Sequence, residues 1–126
     1  MSSSKAWYYD LQSREYFVDE STRVAPFKRD NGHDAVRAHF FTCGQCSEEE
    51  RFLGFYEKYC DEVKEQIERD GCAQPPLHER TFQGRLYSTD GVTWVPAHEP
   101  EGIAICRRVQ ERCPPRKLRY CPPKND

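Results

Sequence analysis

The 126-residue chain has no apolar run approaching the roughly 18 residues that a membrane-spanning helix requires. Its opening, Met1-Ser2-Ser3-Ser4-Lys5, lacks the apolar stretch of a secretory signal. The sequence therefore reads as that of a cytoplasmic protein with no membrane span. Also missing are a phosphate-cradling glycine loop, an H-E-x-x-H pair and any Ser/His/Asp arrangement, and the four histidines (His33, His39, His78, His98) are scattered. Those absences remove the commonest hydrolase and nucleotide-binding signatures. No internal repeat occurs. Hydrophobic residues make up only 37%, but aromatics reach 13%, and each ring buries a large area. With a net charge of −2 and patterned apolar residues, the chain is not expected to be disordered throughout.

Cysteine, by contrast, is plentiful. Seven thiols are many for a cytoplasmic protein, and an odd number cannot all pair within one chain. In a reducing compartment such a set points to metal or redox chemistry more than to staples. Charge is segregated as well. Between Ser47 and Asp70 nine acids face four bases, whereas Ile103 to Asp126 holds seven bases and two acids. A basic tail of this kind suits an anionic partner, or simply water and the acidic segment itself. Tyr120 is its only stacking aromatic and no nucleic-acid motif accompanies it, which disfavours nucleic acid.

The length fits a single domain over 1–126, with loops at 20–34 and 72–80 and a basic extended tail at 114–126. Alternation in Trp7, Tyr9 and Leu11, followed by Glu15-Tyr16-Phe17-Val18-Asp19, predicts a hairpin over 6–20. Residues 35–42 predict a strand. Ser47 with Glu50 forms a capping box, and Phe52, Tyr56, Tyr59, Cys60, Val63 and Ile67 recur at spacings of three and four. That pattern predicts one long helix over 47–70, closed by Gly71. A second hairpin is expected from 81–88 and 92–95 around Asp90-Gly91. A short helix is expected from Pro100 to Arg112, with Ile103, Cys106, Val109 and Cys113 on one stripe and Pro114-Pro115 after it. The fold class is thus α+β, two antiparallel hairpins plus one strand packed on one long and one short helix.

The candidate site is Cys43-Gly44-Gln45-Cys46, placed by this reading at a helix start. Two thiolates in a C-x-x-C turn reach one tetrahedral ion without strain, so the first expectation is a structural zinc held by Cys43, Cys46, Cys113 and Cys121. Seven residues separate the last two, more than a second zinc knuckle normally has. His39 is a substitute ligand, and a Cys113–Cys121 disulfide is the plain alternative. A second expectation is thiol–disulfide exchange, Cys43 attacking and Cys46 resolving, because strand, C-G-x-C and helix form the local arrangement of thioredoxin-like oxidoreductases. Thr42 stands where that family carries an aromatic, and the preceding chain is a hairpin rather than a βα unit. A third is an interaction module with a protein partner, a basic tail and incidental thiols.

Trp7-Tyr8-Tyr9-Asp10-Leu11, Val36-Arg37-Ala38, Cys43-Gly44-Gln45-Cys46, Arg51-Phe52-Leu53-Gly54, Glu57-Lys58-Tyr59, Trp94-Val95-Pro96-Ala97 and Pro100-Glu101-Gly102 together resemble a family of small uncharacterised bacterial proteins. Members carry C-G-x-C in the first half and two cysteines near the C-terminus, often behind a membrane anchor. The resemblance implies no particular activity. It groups Cys43 and Cys46 with Cys113 and Cys121, and it leaves Cys60, Cys72 and Cys106 as buried or loop thiols.

Overall fold

Aromatic and β-branched residues at alternating positions make the first hairpin, as the pattern predicts. In the computed structural model, which describes residues 4–70 and 83–123, β1 (Lys5–Asp10) pairs antiparallel with β2 (Tyr16–Glu20). After the short β3 (Phe27–Lys28), β4 (Asp34–Thr42) becomes the centre of the sheet. It pairs with β1, β3, β5 (Phe52–Tyr59) and β8 (Arg119–Tyr120). On the far side of β5 lie β6 (Arg85–Ser88) and β7 (Val95–Pro96), giving the order β2-β1-β4-β5-β6-β7. Among the described residues, the helices α1 (Asp61–Asp70) and α2 (Pro100–Glu111) complete the α+β architecture.

The expected helix over 47–70 is corrected. Ser47 and Glu50 do form the capping geometry, with the Glu50 amide donating to Ser47 Oγ at 3.2 Å. The turn closes and stops there, and residues 52–59 are strand. Helix begins only at Asp61. The helical spacing has a local cause. Opposite β4 the register slips between His39 and Phe40, so that His39 faces Phe55 while Phe40 faces Leu53. Gly54 is the extra residue of this β-bulge. The bulge turns a two-residue alternation into a three-residue step. Phe52 and Phe55 consequently reach one cluster, and Leu53 and Tyr56 the other. A Cβ at Gly54 would lie 2.5 Å from the Phe41 ring, so the missing side chain lets that ring close over the strand.

The sheet is apolar on both sides. Val36, Ala38, Phe40 and Tyr56, with Trp7, Tyr9, Leu53 and Trp94 around them, form one cluster. Phe55, Tyr87, Ala97, Ile105 and Val109 form the second, beneath α2. Pro100 takes the first-turn position expected of it. The buried stripe of α2 is Gly102, Ile105 and Val109 instead of the expected Ile103, Cys106 and Val109, and Ile103 is 48% exposed. The helix approaches the backbone after β7 so closely that a Cβ at Gly102 would sit 2.3 Å from the Pro96 carbonyl oxygen and 2.6 Å from Ala97 Cα. Because backbone cannot rotate aside, Gly102→Ala is expected to destabilise the fold by about 2–3 kcal/mol. A urea titration checks this, and an unchanged midpoint would mean that α2 can slide off the sheet freely.

The second hairpin forms with a wider turn than expected. Asp90 Oδ1 accepts from the amides of Val92 and Thr93, each at 2.8 Å, and Gly91 adopts φ +80°. The return strand starts at Val95, and Pro96 belongs to it, as an edge strand allows. The tail does not hang free: residues 119–120 join the sheet beside β4. The expected linker at 72–80, Cys72 and residues 81–82 lie outside the described residues. The expected 81–88 strand is corrected at 83–84, which form a helical turn before the strand begins at Arg85. Among those described, no helix is long and apolar enough to cross a membrane.

Candidate functional site

The C-x-x-C turn connects two strands, β4 and β5, so it does not stand at the mouth of a helix. Thr42, the last residue of β4, orders its entry: its Oγ1 accepts from the Gly44 amide at 3.1 Å and donates to the Glu50 carbonyl at 3.4 Å. Both C-terminal cysteines come to this turn. Cys113 follows α2, and Cys121 follows β8, where its amide donates to the Phe40 carbonyl at 2.8 Å. Arg119 reaches over the turn to the Gly44 carbonyl at 3.4 Å.

The four sulfurs are joined crosswise, Cys43 to Cys113 and Cys46 to Cys121. The Cα separations, 5.3 and 5.4 Å, suit disulfides. Both C-terminal cysteines thus pair with the turn, one with each of its thiols, and the Cys113–Cys121 pairing is corrected. Cys43 and Cys46 are not paired with each other, and each has its partner some seventy residues along the chain. The strand–turn–strand setting also differs from the strand–turn–helix arrangement on which the exchange expectation stood. Cys121 is buried at 1% exposure, whereas Cys46 lies at the surface. Of the remaining thiols, Cys60 and Cys106 are unpaired and half-buried. Among the described residues, no group of three or more His, Cys, Asp or Glu side chains is arranged to hold a metal ion.

His39 has a different occupation from the ligand role considered for it. Its Nε2 meets Glu57 Oε1 across the β4–β5 pair, and Glu57 Oε2 meets Arg85 Nε at 2.7 Å. Burial pushes the Glu57 carboxyl upward, but the His39 hydrogen bond and the charges of His39, Arg85 and Arg37 outweigh it and hold the group below its ordinary range. An ionised carboxylate only accepts, so His39 Nε2 carries the hydrogen. Tyr120, the stacking aromatic of the tail, packs against the rings of Phe41 and His39.

Sequence reasoning missed a second polar centre. Asp10 ends β1 with no exposed surface, directly beneath the hairpin turn. Its Oδ1 accepts from the amides of Gln12 and Ser13 at 2.9 and 2.8 Å, and its Oδ2 meets Arg29 Nη1 at 2.6 Å and His33 Nδ1 at 3.0 Å. Burial would raise its pKa. These donors more than offset that and hold the carboxyl far below the usual carboxylate range. The only sequence signal was an acid placed just before a turn.

No family model matches the chain, and searches of curated proteins and of solved structures found no match either.

Proposed function

We propose that the chain is a small non-catalytic binding or structural domain whose fold is locked by Cys43–Cys113 and Cys46–Cys121. The observation that carries this reading is the crosswise pairing itself, which fastens the end of α2 and the last strand to the centre of the sheet. Paired thiols persist in oxidising surroundings, so the reading assigns the protein to such a compartment and away from the cytoplasm. Thiol alkylation under denaturing, non-reducing conditions tests it. Cys60, Cys72 and Cys106 should be labelled, the intact mass should be short by four hydrogens, and digestion should give the two named cross-linked peptides. Labelling of all seven thiols in protein kept from reductant would remove the reading.

The same convergence supports a second reading for a reduced chain, in which Cys43, Cys46, Cys113 and Cys121 hold one zinc ion. A C-x-x-C turn supplies two thiolates, and the chain returns twice to supply the others. Zinc added to fully reduced protein should bind at about one ion per chain and be lost, together with the fold, on chelation. Reduced protein that folds equally well without zinc would leave the disulfide reading alone.

A further inference from the structure

Between the 21–25 loop, the sheet and α1 lies a cavity of about 570 Å³, within the range of small-molecule sites. Val24, Ala25 and Ile67 give it apolar walls and Tyr59 an aromatic one, while Arg37 and Glu57 reach it from the sheet. The loop wall belongs to the fold, because the Tyr59 amide donates to the Ala25 carbonyl at 3.0 Å. Most charges around the cavity are already engaged. Glu57 is held by His39 and Arg85. Arg23 pairs with Asp19 and lies over the Phe27 ring, Lys58 lies over Trp94, and Glu68 pairs with Lys64.

Arg37 is the least engaged: it stands opposite Glu57 in the β4–β5 register and its charge helps to lower that carboxyl, but Glu57 spends its direct contacts on His39 and Arg85. The Arg37 Nε is buried without a partner among the described residues, and its Nη1 reaches only the Ser21 carbonyl, at 3.5 Å. No carboxylate pairs with it among the described residues. A guanidinium always carries its charge and offers a planar fork of donors, and leaving such donors buried without acceptors is costly. An oxyanion is the group that satisfies both the charge and the fork. The apolar and aromatic walls then ask for a ligand with a carbon body. We propose that this cavity binds a small organic anion, its carboxylate or a comparable oxyanion on Arg37 and its apolar body against Val24, Tyr59 and Ile67. The site is remote from the cysteine turn in its residues, so it stands or falls separately from the cross-linked reading.

The test is an amide-resolved NMR titration of the full, oxidised chain with naphthoate, using the neutral naphthamide and inorganic sulfate as controls. Naphthoate should give saturable shifts at Ala25, Arg37 and Tyr59, with affinity at least about tenfold above either control. Arg37→Gln should lower naphthoate affinity by about tenfold while the spectrum stays dispersed. Should that variant fail to fold, Val24→Trp narrows the cavity from the loop side without touching the guanidinium, and it should abolish the shifts. Equal binding of naphthamide, equal binding of sulfate, or no saturable shift at these amides overturns the proposal. So does naphthoate binding that survives either variant in folded form.

Discussion

Replacing Cys43, Cys46, Cys113 and Cys121 together by alanine is expected to cost about 7 kcal/mol, and removing either pair alone only about 3 kcal/mol. The difference follows from loop closure in the unfolded chain. The first cross-link closes a loop of 70 residues, which removes about 4 kcal/mol of chain entropy from the unfolded state. With that loop closed, the second bond completes a ring of only about eleven residues, since its ends lie close to the first bond on both strands. It adds about 3 kcal/mol. Either bond alone holds the large loop, so the double variants Cys43→Ala/Cys113→Ala and Cys46→Ala/Cys121→Ala should resemble one another. The quadruple variant should lose more than the sum of the two. A loss of 7 kcal/mol exceeds half the stability of many domains, so that variant should be largely unfolded at physiological temperature. Guanidinium titrations of the oxidised wild type and the three variants decide the matter. A quadruple variant as stable as the wild type would show that the sheet holds without its cross-links.

Asp10→Ala is expected to destabilise the fold by about 3 kcal/mol. The carboxylate is closed off from water yet shallow, so its loss costs less than that of a charge at the centre of a core. It nevertheless leaves Arg29, His33 and two turn amides without their acceptor. The accompanying pH dependence has a definite sign. The native carboxyl is held below its unfolded value, so the unfolded chain takes up the proton first as pH falls. The stabilisation is complete above about pH 4, the ordinary aspartate range, and declines as pH drops below it. The stability gap between wild type and Asp10→Asn should accordingly be flat near neutrality and narrow in acid. A gap that widened in acid would contradict the assignment of an ionised Asp10.

Much of this architecture was legible in the residues. The Trp7-to-Val18 alternation, the β4 strand and the proline-led helix at 100–111 are local patterns, and each formed where its pattern lay. The 47–59 segment was misread because two local signals agreed on a helix. Ser47 and Glu50 close a real turn, and a bulge at Gly54 gives a strand buried on both faces the spacing of a helix. Only pairing with β4 and β6, remote in sequence, selects the extended form. The four cysteines were grouped from their motif, but four thiols admit three pairings and spacing does not choose among them. Arg37 and Asp10 were invisible for a related reason. What marks them is the presence or absence of partners contributed by distant parts of the chain.

The placement of the two indoles has a spectroscopic consequence. Trp7 and Trp94 both flank the cluster on the side of the sheet away from α2, one beneath Arg51 and the other beneath Lys58. Tryptophan emission therefore samples that side. An emission shift on adding a partner would locate contact there.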